Sequence, residues 1–196
     1  MIFQSSKSNL MRGITHIIFL ILSGSILIVC SCKPKYRQQD RPLNQSMTDQ
    51  ESIYRSNQLM VRQYADAIRD HAASQKWILK ETGTGVFFQI INQKKNHSEK
   101  IASGDWVSLN YRLSLLNGTE CYTSKLKGKK QFVVGRSEAE QGLHDAIQFL
   151  CPGDSAIIVI PPQRAFGLTG DGDRIPPRAI LVYEIKVDSV SRRPNH

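Results

Sequence analysis

The clearest pattern in the chain is a strict alternation of apolar and polar residues between positions 106 and 116. All the odd-numbered positions from Val107 to Leu115 are apolar, and the even-numbered positions between them are polar or charged. Because successive side chains of a strand point to opposite faces, this alternation predicts a strand with one buried face. Asn117-Gly118 then predicts a hairpin turn, since both residues tolerate positive φ. Residues 119–123 are expected to return as the partner strand.

Two further strands are predicted on either side of a long loop near the C-terminus. Residues 154–160 form a short run rich in β-branched side chains, and residues 179–187 alternate like a half-buried strand. The loop between them carries two Pro-Pro pairs, at 161-162 and 176-177. Long ordered loops tend to be functional, which favours a site here over a plain surface connection with ordinary turn chemistry. Shorter strands are predicted within residues 77–91 and at residues 131–134.

Helical spacing appears in two segments. Thr48 and Glu51 have the spacing of a capping box, and a narrow apolar stripe through Ile53, Met60 and Tyr64 predicts a helix over residues 48–75. This helix could pack on its own domain, pair with a second copy, or hold the domain away from a membrane; we favour a stalk, with a homodimer as an alternative. Residues 138–150 predict a second helix, which Pro152-Gly153 would end.

One short helix among several antiparallel strands is typical of an α+β domain whose sheet curls around that helix. We expect this domain to occupy residues 77–196, which is long enough to bury one modest core. It would be preceded by a helical stalk at residues 48–76 and by a polar, proline-bearing tether at residues 32–47 with little to bury.

The first 31 residues have the composition of an export signal. Lys7 and Arg12 are followed by an uncharged, mostly apolar stretch, which is too short for a comfortable membrane span. The stretch ends in Val29-Cys30-Ser31-Cys32, which resembles a bacterial lipobox with Cys32 as the acylated residue. A plain secretory signal and an uncleaved anchor are the alternatives. We expect an extracytoplasmic protein that is lipid-anchored to a membrane and faces the periplasm, because several buried acyl chains anchor stably.

The distribution of charged residues and of histidines argues against nucleic-acid binding and against a metal site. The chain has 26 Lys and Arg against 17 Asp and Glu, but no predicted helix carries a basic face interleaved with aromatic residues, so nucleic acid is not an expected partner. A basic, lipid-anchored protein beside anionic headgroups is a simpler account. The five histidines are scattered, which gives a metal site no support. Of the remaining cysteines, Cys121 and Cys151 are not expected to form a disulfide.

A series of motifs carries a family resemblance. In order they are V-x-L-N-Y-x-L from Val107, N-G-T from Asn117, C-P-G-D from Cys151, P-P-x-x-A-F-G from Pro161, I-P-P from Ile175 and L-V-Y-E-I from Leu181. In this order and spacing, the chain from Val107 to Val190 resembles an FKBP-type peptidyl-prolyl cis-trans isomerase domain. The resemblance implies a protein that acts on proline-containing polypeptides and needs no cofactor and no catalytic triad.

The resemblance also implies a set of site residues. The catalytic positions would be Tyr111, Tyr122, Phe166, Ile175 and Tyr183, with the backbone amide of Ile175 contacting the substrate carbonyl. The substrate pocket would be lined by Cys121, Phe132, Glu138, Ala139, Glu140 and Leu143.

Several of these positions depart from the family's pattern. Cys121-Tyr122 stands where the family has Phe-Asp, and Leu143 replaces a tryptophan at the pocket floor. Lys130 replaces a phenylalanine at the rim, and Phe166 keeps a ring but lacks the usual tyrosine hydroxyl. Tyr122 is the candidate to supply the missing hydroxyl from a different position in the pocket. Tyr111 and Tyr183 could equally be ordinary core residues.

Two functions from different classes follow. The first is an isomerase that assists the folding of exported proteins. The second is an FKBP-like binding or chaperone module with little or no isomerase activity. The layout of signal, tether, helix and FKBP-like domain also resembles the gliding-motility-associated FKBP-type lipoproteins of Bacteroidetes, which would place the partners in motility or secretion machinery.

Overall fold

The computed structural model describes residues 43–93, 99–136 and 139–192. The predicted signal segment, Cys32, most of the predicted tether and the predicted pocket residue Glu138 lie outside these ranges. No helix within them is long and apolar enough to cross a membrane.

Seven strands of the described residues form one antiparallel sheet in the order β1-β2-β6-β7-β3-β4, with β5 paired to β3. The strands are β1 (Lys80–Glu81), β2 (Phe87–Asn92), β3 (Trp106–Leu115), β4 (Glu120–Thr123), β5 (Lys130–Val133), β6 (Ser155–Ile160) and β7 (Leu181–Ser191). The helices are α1 (Leu43–Gln75), α2 (Ser124–Lys127) and α3 (Gln141–Ile147), with a short 3-10 helix at Pro162–Arg164.

Strand β3 is the centre of the sheet, as its alternation predicted. It pairs with β7 from Trp106 opposite Ser191 to Leu115 opposite Leu181. On its other edge, β5 pairs with its first half and β4 with its second half. Gly118 has a φ of 87° and closes the predicted turn between β3 and β4 through a 2.9 Å bond to the Leu115 carbonyl.

Helix α3 is shorter than the sequence predicted. Glu140 is extended, with φ −62° and ψ 140°, and it is the N-cap, so residues 139 and 140 are not helical as predicted. The helix ends at Ile147, and the chain then turns so that Leu150 enters the core from outside the helix. A Cβ at Gly142 would collide with the Ile160 side chain of β6, so only glycine permits this close approach of helix and sheet.

The core lies between α3 and the sheet. Its largest fully buried side chains include Tyr183, Phe132, Leu109, Leu113 and Leu143. Both cysteines of the domain, Cys121 and Cys151, are buried free thiols. The predicted α+β arrangement, a sheet curled around one short helix and preceded by an N-terminal helix, is confirmed.

Helix α1 begins at Leu43, so Thr48 lies inside it and the predicted capping box does not start it. Its C-terminal half packs on the other face of the sheet through Ile68, which is 1 % exposed, and Ala72. Ile68 forms a second apolar cluster with Phe87, Ile157, Val159 and Val182. The N-terminal half instead exposes Ile53, Tyr54 and Leu59. The C-terminal half of the predicted stalk is therefore part of the domain's own packing.

Candidate active site

The described site residues predicted from the sequence converge on one side of the core, although they come from separate elements. Cys121, Phe132, Leu143, Ile175 and Tyr183 are buried members of the main apolar cluster. Tyr111, Tyr122, Ala139 and Phe166 are partly buried and pack against the same cluster. The fold therefore brings together residues from five elements, namely β3, β4, β5, β7 and α3. It adds residues from the loop between Pro161-Pro162 and Pro176-Pro177, which we call the proline-bracketed loop. The parts of Tyr111, Tyr122, Ala139 and Phe166 that stay exposed form the apolar surface of the candidate site.

Tyr183 and Glu140 meet at the base of this surface. The Tyr183 hydroxyl donates to Glu140 Oε1 at 2.8 Å, and only 6 % of the Glu140 side chain is exposed. Burial, and then the nearby charge of Glu140, raises the pKa of Tyr183 well above its usual value. The phenol is therefore a neutral donor that helps to hold a carboxylate inside an otherwise apolar cluster.

Lys130 supplies the charge that balances this carboxylate. Its Nζ lies 3.2 Å from Oε1 of Glu140 and donates to it. The same Nζ is 3.0 Å from Oε2, which is close enough for an ion pair but not aligned for a hydrogen bond. The ammonium also lies 5.9 Å from the centroid of the Tyr183 ring. The predicted loss of an aromatic rim at Lys130 therefore introduces an ion pair and a cation–π contact.

Tyr122 ties β4 to the proline-bracketed loop. Its hydroxyl donates to Asp171 Oδ2 at 2.5 Å and lies 3.1 Å from Asp173 Oδ2. The hydrogen bond to Asp171 is the main reason that the pKa of Tyr122 rises to about 12. Two cations flank the ring: Lys127 Nζ and Arg174 Cζ each lie 5.7 Å from its centroid. The Tyr122 hydroxyl is thus used inside the protein, so it does not replace the ligand-facing hydroxyl that Phe166 lacks.

The backbone amide of Ile175 is also engaged. It donates to Asp171 Oδ1 at 2.8 Å, and the same oxygen accepts the Asp173 amide at 2.9 Å. This amide therefore already has a partner inside the protein, and its contact with a substrate carbonyl stays a prediction. In the conformation described, Ile175 contributes its buried side chain to the wall of the site.

Tyr111 differs from the other two tyrosines because its hydroxyl forms no hydrogen bond with any described residue. Its ring is partly buried and lies 6.0 Å from that of Tyr183. Burial, and then the charge of Glu140, raises the pKa of Tyr111 above its usual value, so the hydroxyl keeps its proton at neutral pH. Tyr111 therefore offers a neutral hydrogen-bond donor at the margin of the apolar surface.

The loop that carries Phe166 is held by its own backbone. The Gly167 amide donates to the Pro162 carbonyl at 2.9 Å, and the Arg178 amide donates to the Gly167 carbonyl at 2.9 Å. Gly170 has a φ of 71°, and a Cβ there would collide with the carbonyl of Ile175. These bonds and this close approach fix the turn that places Phe166 against the core.

A second ion pair joins this loop to α3. Arg164, at the end of the 3-10 helix, donates through Nε to Asp145 Oδ2 at 3.0 Å, and Thr84 Oγ1 donates to the same oxygen at 2.8 Å. Sequence reasoning missed this pair, the Lys130–Glu140 pair and the role of Asp171. The Asp171-Gly172-Asp173 spacing was the one local signal, since such residues favour turns that hydrogen-bond their own backbone.

The fold and the site together define a class: a curled antiparallel sheet that packs on one short helix and presents an aromatic surface beside that helix. Comparison with known proteins supplies the family. Residues 97–188 match the family of FKBP-type peptidyl-prolyl cis-trans isomerases, so this part of the chain is an FKBP-type peptidyl-prolyl isomerase domain.

Individual relatives agree with this family. The chain is 30 % identical over 126 residues to human peptidyl-prolyl cis-trans isomerase FKBP7, a match that covers 62 % of this chain and 57 % of the human protein. It is 29 % identical over 133 residues to FK506-binding protein 2 of Candida glabrata, covering 61 % of this chain and 98 % of that protein. The chain thus spans a little over half the length of the human relative.

Among solved structures, FkpA from Escherichia coli aligns with a TM-score of 0.55 and 22 % identity. The alignment covers 98 % of this chain and 85 % of that chain. At this identity the likeness supports the fold alone.

Proposed function

We propose that this protein catalyses the cis-trans isomerisation of X-Pro peptide bonds. The observation that carries the proposal is the neutral hydroxyl of Tyr111, unpaired among the described residues, on a partly buried ring that packs against the same apolar cluster as the partly buried ring of Phe166. A proline ring leaves water favourably only where an apolar surface receives it. The twisted amide next to the ring needs few hydrogen-bond donors. The family membership of residues 97–188 supports the same activity.

The physical task of such a catalyst is limited. Rotation about the X-Pro bond faces a barrier of about 20 kcal/mol because the amide loses resonance when it twists. A site that binds the twisted amide more tightly than the planar amide lowers this barrier, and each ~1.4 kcal/mol of that preference is about tenfold in rate. The apolar surface would desolvate the amide, and Tyr111 would donate to its carbonyl oxygen. No proton needs to leave the enzyme in this scheme.

The proposed setting is extracytoplasmic, with acylated Cys32 anchoring the protein to a membrane so that the domain assists the folding of exported proteins in the periplasm. The apolar stretch before Val29-Cys30-Ser31-Cys32 supports this placement. Mass spectrometry of the detergent-extracted protein is expected to find an acylated Cys32 at the mature N-terminus. An unmodified amino group on that cysteine would reject the anchor.

A homodimer through α1 is part of this proposal. Its N-terminal half exposes Ile53, Tyr54 and Leu59, which are 58 to 63 % exposed, and nothing else among the described residues covers them. Light scattering on the purified protein is expected to give twice the chain mass. Replacing Ile53 and Tyr54 by serine should return the mass to that of one chain.

The second candidate is a binding or chaperone module without useful isomerase activity, in gliding motility or secretion machinery. Three observations favour it: the Lys130–Glu140 ion pair in place of an apolar rim, the engaged Ile175 amide, and the engaged Tyr122 hydroxyl. Each leaves the site more polar or poorer in donors than the resemblance implied.

A protease-coupled assay on a Leu-Pro peptide separates the two candidates. The full chain in detergent is expected to accelerate cis-to-trans conversion, and Phe166→Ala is expected to reduce the rate at least tenfold because it removes a ring from the pocket wall. No acceleration over heat-inactivated protein would leave only the binding module. Unchanged turnover by Phe166→Ala would mean that the pocket lies elsewhere.

A further inference from the structure

The carboxylates around the site already take part in contacts inside the protein. Glu140 accepts from the Tyr183 hydroxyl and pairs with Lys130. Asp171 accepts from the Tyr122 hydroxyl and from two backbone amides. Asp173 lies 3.1 Å from the same hydroxyl. Each of these carboxylates therefore already faces a donor or a cation of the protein itself, although Oε2 of Glu140 accepts no hydrogen bond.

The cations around the site have fewer hydrogen-bond partners inside the protein. Lys127 lies 5.7 Å from the centroid of the Tyr122 ring, but it forms no hydrogen bond or ion pair with any described residue. Arg174 lies over the same ring and donates through Nη1 to the Cys121 carbonyl at 2.9 Å. Its other N–H groups have no partner among the residues that the structure describes. A guanidinium carries five such donors, so four of them are available to a ligand.

Lys130 belongs to the same group. Its ammonium pairs with Glu140, yet 22 % of the side chain is exposed, whereas only 6 % of the Glu140 side chain is. Of the two partners, Lys130 therefore has the more exposed side chain. An ammonium has three donors, and the carboxylate it faces leaves at least one of them for a ligand.

We propose that the site prefers substrates with an acidic residue next to the proline. A carboxylate at that position would gain charge-assisted hydrogen bonds from Lys127, Lys130 or Arg174 without breaking an internal bond. A basic residue would meet these three cations and carboxylates that already face internal donors or cations, so discrimination comes from repulsion as well as attraction. This preference presupposes the isomerase activity proposed above and names its substrate class.

The expected preference is modest and depends on salt. Exposed charge pairs contribute little each, so we expect kcat/KM for an acidic peptide to exceed that of its neutral isostere by about 3- to 10-fold at low ionic strength. Raising the salt to about 1 M shortens the Debye length to about 3 Å and should remove most of this difference. A preference that came from shape alone would not respond to salt.

The test compares four peptides Ala-Xaa-Pro-Phe, with Glu, Gln, Lys or Leu as Xaa, on the full chain in detergent. The expected order is Glu above Gln above Lys, and Lys127→Met should lower the ratio of Glu to Gln. Lys125→Met is the matched control, since Lys125 lies on the same short helix but contacts no ring of the site; it should keep the ratio. Lys130→Met combined with Glu140→Gln removes the pair without leaving a buried charge and should also lower the ratio.

The results distinguish a failure of the acidic preference from a failure of the isomerase activity on which it rests. Turnover of the Leu peptide with equal rates for Glu and Gln, or an unchanged ratio in Lys127→Met, overturns the acidic preference and leaves the isomerase standing. If no peptide is turned over, the isomerase proposal fails, and calorimetric titration of the Glu and Lys peptides then decides the preference. Tighter binding of the Glu peptide supports it, and equal affinities overturn it.

Discussion

The Tyr122 hydroxyl and the Asp171 carboxylate form a 2.5 Å hydrogen bond that joins strand β4 to the proline-bracketed loop. The two residues are 49 positions apart in the sequence. The second oxygen of Asp171 accepts the Ile175 amide at 2.8 Å, so one carboxylate connects the rim of the site to the residue before Pro176. The relationship makes the geometry of the loop depend on a side chain from another strand.

Removing the Tyr122 hydroxyl should loosen the loop without removing the ring. In Tyr122→Phe, Asp171 loses the donor from β4, and we expect the Ile175 amide to exchange with deuterium faster than in the unaltered protein. Tyr54→Phe, on the exposed half of α1, is the control and should leave that exchange rate unchanged. Equal protection in Tyr122→Phe would show that the loop holds its conformation without this bond.

Stability should fall at acid pH partly through Asp171. Burial alone would raise the pKa of Asp171, but hydrogen bonds from the Tyr122 hydroxyl and the amides of Asp173 and Ile175 lower it below the ordinary value of 3.8. A carboxyl whose pKa is lowered on folding contributes stability that is full above its unfolded pKa and is lost as the pH falls through the folded value.

Urea unfolding between pH 7 and pH 2 measures this contribution. We expect Asp171→Asn to be less stable than the unaltered protein at pH 7, and the difference should shrink below about pH 4 as the carboxylate is protonated in the unaltered protein. A difference that stays constant over this range would mean that the charge of Asp171 contributes nothing.

Gly142 should be intolerant of any side chain. A Cβ at this position collides with Ile160, and it would lie 3.2 Å from the Arg164 carbonyl. Gly142→Ala is therefore expected to lower the free energy of unfolding by about 1–3 kcal/mol, the usual cost of overpacking. Gly83→Ala, where a Cβ meets nothing within 4 Å, should change it by less than about 0.5 kcal/mol. Similar values for both substitutions would refute the close packing of α3 on β6.

The C-terminal half of α1 packs on the sheet, and substitutions in the two halves of this helix distinguish such packing from a free stalk. Ile68 is 1 % exposed against the sheet, and Ile53 is 60 % exposed on the same helix. Ile68→Ala should lower the free energy of unfolding of the domain by about 2–5 kcal/mol because it leaves a cavity. Ile53→Ala should lower it much less. If both leave domain unfolding unaltered, α1 does not contribute to the domain.

How much of this could be predicted from the sequence depended on whether the signal was local. The strand 106–115 and its turn at Gly118 were predictable because alternation and turn chemistry are properties of adjacent residues. The packing of α1 could not be predicted, because its apolar stripe is equally compatible with packing on the sheet, with pairing to a second copy of the chain, or with neither. The early end of α3 was missed because the apolar period continues to Leu150 although the backbone does not.

The chemistry of the site was harder to predict than its location. Motif order predicted a set of site residues, and the described apolar ones belong to the main apolar cluster or pack against it. Lys130 and Glu140 each looked like an isolated departure from an apolar pattern, and only the fold shows that they compensate each other as an ion pair. The sequence could not distinguish the Tyr122 hydroxyl, which is bonded to Asp171, from the Tyr111 hydroxyl, which has no partner among the described residues, because hydrogen-bond partners are set by residues far away in the chain.

We propose that Tyr111 belongs to a working isomerase site, and NMR exchange spectroscopy on a Leu-Pro peptide can measure its contribution. The full chain at catalytic concentration should produce cis-trans exchange peaks, since uncatalysed exchange takes tens of seconds or longer. Tyr111→Phe should slow this exchange severalfold or more, while the free energy of unfolding changes little because the hydroxyl has no partner among the described residues. No exchange peaks with the unaltered protein, or the same exchange rate with Tyr111→Phe, would contradict the claim.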